Sequence, residues 1–119
     1  MLEEESKPKM AVTITKNNLE AEVANQITII DFWAPWCGPC KIMNPVLDQL
    51  EAEMGDQIQF GKLNVDDNQE LAEKYHVLSI PSIVVFENGV AKEKVTGVFP
   101  KDKLKTYLTK KLAEASQTA

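Results

Sequence analysis

The sequence contains no arginine: its 13 basic residues are all lysine, set against 18 acidic residues, for a formal net charge of −5. Without arginine there is no planar bidentate donor for phosphate, and without a basic surplus there is no broad positive field, so nucleic acid is not an expected partner. No apolar run is long enough to cross a bilayer. The opening Met1-Leu2-Glu3-Glu4-Glu5 is acidic where a secretory leader would carry an apolar stretch. The expectation is a cytoplasmic protein with no membrane partner. Histidine occurs once, as His76, and cysteine twice, as Cys37 and Cys40. A structural zinc site takes about four ligands, so one here would have to recruit a carboxylate, and no metal is expected. A cysteine-protease pairing would depend on His76 as its base, yet that residue falls in Lys74-Tyr75-His76-Val77, at the end of an expected helix. The five glycines are scattered and form no G-x-G-x-x-G fingerprint, so no bound nucleotide cofactor is expected.

What is present suits one folded domain. The chain has 119 residues, 44% apolar and 26% charged, enough to bury a core without disulfide staples. Cys37 and Cys40 close a loop too short to remove much unfolded-state entropy. In a reducing compartment such a pair points to catalysis or metal binding rather than stability. Residues 1–9, polar and with Pro8, read as an extension, residues 10–115 as the domain, and residues 116–119 as a tail.

Hydrophobic patterning places the elements. Residues 11–15 (Ala-Val-Thr-Ile-Thr) read as a first strand, and Asn17 or Asn18 as the cap of a helix reaching about Ala24. Ile27-Thr28-Ile29-Ile30-Asp31-Phe32-Trp33 is β-branched and aromatic, as expected of a central strand buried on both faces. After the cysteines, Met43, Val46, Leu47, Leu50 and Met54 recur at helical spacing up to Gly55, with Pro45 expected to kink that helix. A strand from Ile58 to Val65 and a helix from Asn68 to Tyr75, capped near Asp67, come next. Ile83–Phe86 reads as a strand. Asn88-Gly89 is a hairpin signal joining it to an antiparallel strand over 91–96. Leu104, Tyr107, Leu108 and Leu112 mark a closing amphipathic helix from Lys101. The order β-α-β-α-β-α-β-β-α predicts an α/β fold with a central mixed five-stranded sheet flanked by helices on both faces.

The chemistry follows from where the cysteines fall. Cys37 ends the turn after a buried strand and opens a helix, whose free N–H groups and partial positive charge favour a thiolate. The thiolate is the nucleophile of disulfide exchange. Pro39 fits the first helical turn, where a missing N–H costs nothing, and Gly38 leaves room for another chain to approach the sulfur. Cys40, three residues on, shares the face of Cys37 and can attack a mixed disulfide held there. Asp31, in an otherwise apolar strand, is expected to be desolvated and its pKa raised.

The segment Trp33-Ala34-Pro35-Trp36-Cys37-Gly38-Pro39-Cys40-Lys41 resembles the active-site segment of the thioredoxins. The similarity continues through Asp31-Phe32, Pro45, Lys62-Leu63-Asn64-Val65-Asp66, Ile80-Pro81-Ser82, Asn88-Gly89 and Gly97, covering roughly residues 11 to 113. The motif alone is less specific, since glutaredoxins and disulfide isomerases share the fold with other dipeptides; Gly-Pro resembles the reducing type. The resemblance implies a protein-disulfide reductase in which Cys37 attacks the substrate disulfide and Cys40 resolves the mixed disulfide. Asp31 would carry the proton of Cys40, with Lys62 beside it. Pro81 would be a cis-proline exposing the Ile80 backbone to an extended substrate, a form of strand addition. Trp36, Gly38, Pro39, Ile80, Gly97 and Val98 would form the contact surface, with Trp33 and Pro45 in support. It also implies a monomer with no bound cofactor, receiving electrons from NADPH through a separate thioredoxin reductase and passing them to disulfide-containing substrate proteins.

Two other readings remain open at this point. In one, the fold is a non-catalytic binding scaffold or assembly subunit with incidental cysteines. In the other, it is a disulfide isomerase or oxidant, against which the Gly-Pro dipeptide argues, since a histidine there would further stabilise the thiolate.

Overall fold

A computed structural model describes residues 11–24 and 26–117. The strands are β1 (Val12–Thr13), β2 (Ile27–Trp33), β3 (Ile58–Asn64), β4 (Ser82–Glu87) and β5 (Val90–Thr96), and the helices α1 (Leu19–Glu22), α2 (Gly38–Met54), α3 (Gln69–Lys74) and α4 (Lys101–Gln117). They follow one another in the expected β-α-β-α-β-α-β-β-α order. The strands form one mixed sheet in the order β1-β3-β2-β4-β5. Strand β3 pairs parallel with both β1 and β2; β4 runs antiparallel to both β2 and β5.

Strand β2 occupies the centre because six of its seven residues are buried, leaving no polar face to turn to water. Its side chains alternate between two cores. Ile27 and Ile29 meet Met43, Leu47, Leu50 and Met54 of α2 and Leu104 and Leu108 of α4. Ile30 and Phe32 meet Leu19 of α1 and Leu71 of α3 on the opposite face. Each such aliphatic or aromatic side chain contributes about 1.5–3 kcal/mol when fully buried. Two cores, one per face, are what a near-continuous apolar strand requires.

The local differences from expectation have visible causes. Strand β1 is shorter than residues 11–15: after Ile14 N donates to Lys62 O (2.7 Å), the Thr15 N–H turns to Asn18 Oδ1 (2.8 Å) and leaves the ladder. Asn18 does stand at the N-cap of α1, but its side chain faces back, with Nδ2 donating to Thr13 O, and the helix ends at Glu22 rather than Ala24. Asn68, not Asp67, stands at the N-cap of α3, its amide donating to Asn64 O at 3.0 Å. Pro45 lies inside α2, as the sequence placed it. In the β4–β5 hairpin Asn88 (φ 51°) and Gly89 (φ 88°) both take the positive φ that this tight turn demands. Residues 1–9 lie outside the described residues, and α4 continues through Gln117, two residues into the stretch read as a tail.

Helix α4 is tied to the domain through its polar side as well. Lys101 and Lys105 both pair with Glu53 near the end of α2, and Lys111 and the Tyr107 hydroxyl both bond Glu93 on β5. The two lysines hold the Glu53 carboxyl down at about 2, chiefly through their hydrogen bonds to it.

Candidate active site

The two cysteines lie where β2 hands the chain to α2. After Trp33 the chain makes a tight turn, with Cys37 N donating to Ala34 O (3.2 Å), and Cys37 becomes the N-cap residue of α2 in extended geometry (φ −88°, ψ 110°). Its Sγ accepts a hydrogen bond from Cys40 N at 3.2 Å, the bond a capping side chain makes to a free N–H of the first turn. Pro39 sits in that first turn, where it has no hydrogen bond to lose. Cys37 and Cys40 are joined as a disulfide, with their Cα atoms 5.3 Å apart.

Both cysteines are buried, at 3% and 1% exposure, packed with Ala34 and flanked by Trp33, Val65 and Ile80. Around them the surface is open. Pro39 and Gly38 are exposed, and a Cβ added at Gly38 would meet nothing within 4 Å. Trp36 is 67% exposed, and its Nε1–H donates to both carboxylate oxygens of Asp66 at 3.1 Å. That bond fixes the ring beside the disulfide rather than in the core. Trp33, half-buried, packs against the cysteines.

The Ile80–Pro81 bond is cis. It delivers the chain into β4 next to β2, with Ser82 in register with Phe32. Gly97 N donates to Pro81 O (2.9 Å), and Gly97 has φ 110°, a backbone that glycine adopts without strain. Val98 follows it with 44% exposure. His76 has φ 58°, the left-handed geometry that closes a helix, and its side chain is exposed.

Asp31 points from β2 towards the α2 side of the sheet, two residues beyond Ile29 on the same face. It is 3% exposed, and neither carboxylate oxygen has a hydrogen-bond partner among the described residues. Burial lifts its pKa to about 7, against the opposing pull of Lys62. A cavity of about 10 Å³ lies against it, bordered by Ile29, Leu47, Glu51, Gly61 and Lys62. That is the scale of one water molecule.

Sequence reasoning missed three features here. Leu78 is 94% exposed and Ile42 61% exposed, and Asp66 and Glu73 line a groove beside Trp36. The exposure of Leu78 and Ile42 has no local signal. The pairing of Trp36 with Asp66 spans 30 residues and could have been found only by placing the β3–α3 loop beside the motif.

Among the described residues no group of three or more His, Cys, Asp or Glu side chains could hold a metal, and no helix is long and apolar enough to cross a membrane. A redox-active cysteine pair at the head of a helix, beside a cis-proline, is the chemistry of a thiol–disulfide oxidoreductase. The thioredoxin family model matches residues 10–110. A thioredoxin of Bacillus subtilis (strain 168) is 45% identical over 101 residues, 85% of this chain and 97% of its own length. One from Staphylococcus aureus (strain Mu50 / ATCC 700699) is 42% identical with the same coverage. The solved structure of a point-mutant thioredoxin from Halobacterium salinarum NRC-1 superposes with a TM-score of 0.82 at 30% identity, covering 90% of this chain and 95% of that one. The chain belongs to the thioredoxin family, and it carries out dithiol–disulfide exchange through Cys37 and Cys40.

Proposed function

We propose that the protein is a general protein-disulfide reductase of the cytoplasm, with Cys37 as nucleophile and Cys40 as resolving thiol. The observation that carries this reading is the position of Cys37 Sγ at the N-cap of α2, where it accepts the Cys40 N–H. In the reduced protein that N–H and the helix start stabilise a Cys37 thiolate.

The exchange balances in two displacements. The Cys37 thiolate attacks one sulfur of the substrate disulfide; the mixed disulfide forms, and the other substrate sulfur leaves as a thiolate and takes up a proton. Cys40 then gives up its proton and attacks Cys37 Sγ. The Cys37–Cys40 disulfide forms, the second substrate thiol is released, and two electrons have passed to the substrate.

Asp31 is the proton acceptor for Cys40 in this reading. A carboxyl with a pKa of about 7 gains and loses a proton readily near neutrality, and its small cavity accommodates one relaying water. Lys62 keeps that pKa from rising further. The substrate strand lies along Ile80, Pro81, Gly97 and Val98, with Trp36, Gly38 and Pro39 on the other side of the sulfur. Trp33 and Pro45 hold the motif and its helix in shape. The chain works as a monomer without a bound cofactor, and a separate thioredoxin reductase returns electrons from NADPH.

The test is NADPH oxidation with insulin, a thioredoxin reductase and catalytic amounts of the protein, with Cys37→Ser alongside. Turnover by the parent and none by the variant is the expected result. Failure of the parent both here and with dithiothreitol as reductant would replace this reading with that of a binding scaffold.

A further inference from the structure

We infer that the groove between Trp36 and Leu78 selects substrate segments that carry a lysine or arginine close to the reactive cysteine. This inference rests on the reductase reading and specifies its substrate class. The groove encloses about 520 Å³, room for more than one side chain. Its floor is apolar, made of Val65, Ala72, Val77 and Ile80. Val65 and Ile80 also pack against the Cys37–Cys40 pair, so the groove begins at the disulfide itself. A chain whose cysteine is joined to Cys37 therefore places a residue within one or two positions of that cysteine over this floor.

The two walls are unusual for exposed surface. Trp36 is 67% exposed and Leu78 94% exposed, and both border the groove. Large exposed apolar side chains gathered around one groove mark a contact surface. The charge on the rim is of one sign: Asp66 and Glu73 line the groove, and none of the residues that line it is cationic. Two lysines near the groove are engaged, Lys74 over the ring of Tyr75 at 5.4 Å and Lys94 on the His76 carbonyl.

An apolar floor under an acidic rim fits a side chain with a long aliphatic stem and a positive end. Lysine and arginine lay their stems along apolar surface while the charge stays at the edge. The face of Trp36, its N–H held by Asp66, adds a π-surface on which a cation can rest. An acidic side chain in the same place would meet Asp66 and Glu73 with like charge, which disfavours binding.

The experiment uses the full chain and three disulfide-bonded peptides that differ only at the second residue from the cysteine: lysine, glutamine or glutamate. The expected order of kcat/KM is lysine, then glutamine, then glutamate, with a lysine-to-glutamate ratio of at least about threefold, the scale of one exposed charge pair. Raised salt shrinks that ratio. Glu73→Lys narrows or reverses it. Asp56→Lys, which makes the same charge change at an exposed site before β3, at the opposite end of the sheet, retains it. A ratio near one in the parent, or equal narrowing by the two variants, overturns the inference while leaving the reductase reading standing. No reduction of any of the three peptides overturns both.

Discussion

Asp31 and Lys62 are register partners across the parallel β2–β3 pair, so the buried carboxyl beneath the motif has a lysine on the adjacent strand. The two effects on Asp31 are unequal. Desolvation raises its pKa and the lysine lowers it, and the balance at about 7 shows that desolvation dominates. A half-buried lysine keeps most of its own hydration and is screened by water, so it offsets only part of the cost of ionising Asp31.

That imbalance has a stability consequence with a definite sign. The folded protein holds the Asp31 proton more tightly than the unfolded chain, whose value is the ordinary 3.8. The contribution is therefore fully present below about pH 4 and is lost progressively as pH rises to about 7. Over that window the cost is on the order of 4 kcal/mol. Asp31→Asn removes the titration. In urea unfolding, its stability relative to the parent should rise steadily from about pH 4 to pH 7 and then level off. A constant difference across that range would mean that Asp31 titrates normally.

The same residue makes a kinetic prediction. In Asp31→Ala the first displacement, at Cys37, should proceed near the parent rate. If Asp31 accepts the Cys40 proton as proposed, the second, at Cys40, should slow by on the order of a hundredfold or more. Rapid acid quench should then trap mixed disulfide that the parent does not accumulate. Decay of that species at the parent rate would exclude Asp31 as the proton carrier.

Two glycines separate packing from access. A Cβ at Gly61 would lie 2.7 Å from Cγ1 of Ile14, a fully buried β-branched side chain that would have to shift. Gly61→Ala should destabilise by about 1–3 kcal/mol through overpacking. Gly38 meets nothing within 4 Å, so Gly38→Ala should leave stability within about 0.5 kcal/mol. On the proposed substrate path its effect should instead appear as slower reduction of protein substrates, since the added methyl would stand in the open space beside the sulfur. Thermal melts and insulin reduction, measured on both variants, give the comparison. Equal melting temperatures for the two, or a large drop for Gly38→Ala, would contradict it.

Much of the fold was legible in the chain because its signals are local. The apolar run from Ile27 to Trp33 called for a strand buried on both faces, and Asn88-Gly89 for a tight hairpin. The helical spacing of Met43, Leu47, Leu50 and Met54 predicted the side of α2 that packs on the sheet. The boundaries were less legible. Asn18 and Asn68 both stand at N-cap positions, yet their side chains bond backward to Thr13 and Asn64, and only the folded loop decides that competition between near-equal partners. The end of β1 depended on the same loop, through the Thr15 N–H that Asn18 accepts.

The sequence by itself determined the reaction class. Two cysteines with a glycine and a proline between them, following an apolar strand and opening a helix, point to dithiol–disulfide exchange, and that chemistry resides in neighbouring residues. Only the tertiary structure decided what surrounds the sulfur. Trp36 meets Asp66 across 30 residues, Leu78 stands clear of the core, and the acidic rim lies beside the disulfide. These relationships join parts of the chain that have no local reason to meet. They exist because β2, β3 and β4 lie side by side in one sheet and bring the loops at their ends to a single edge.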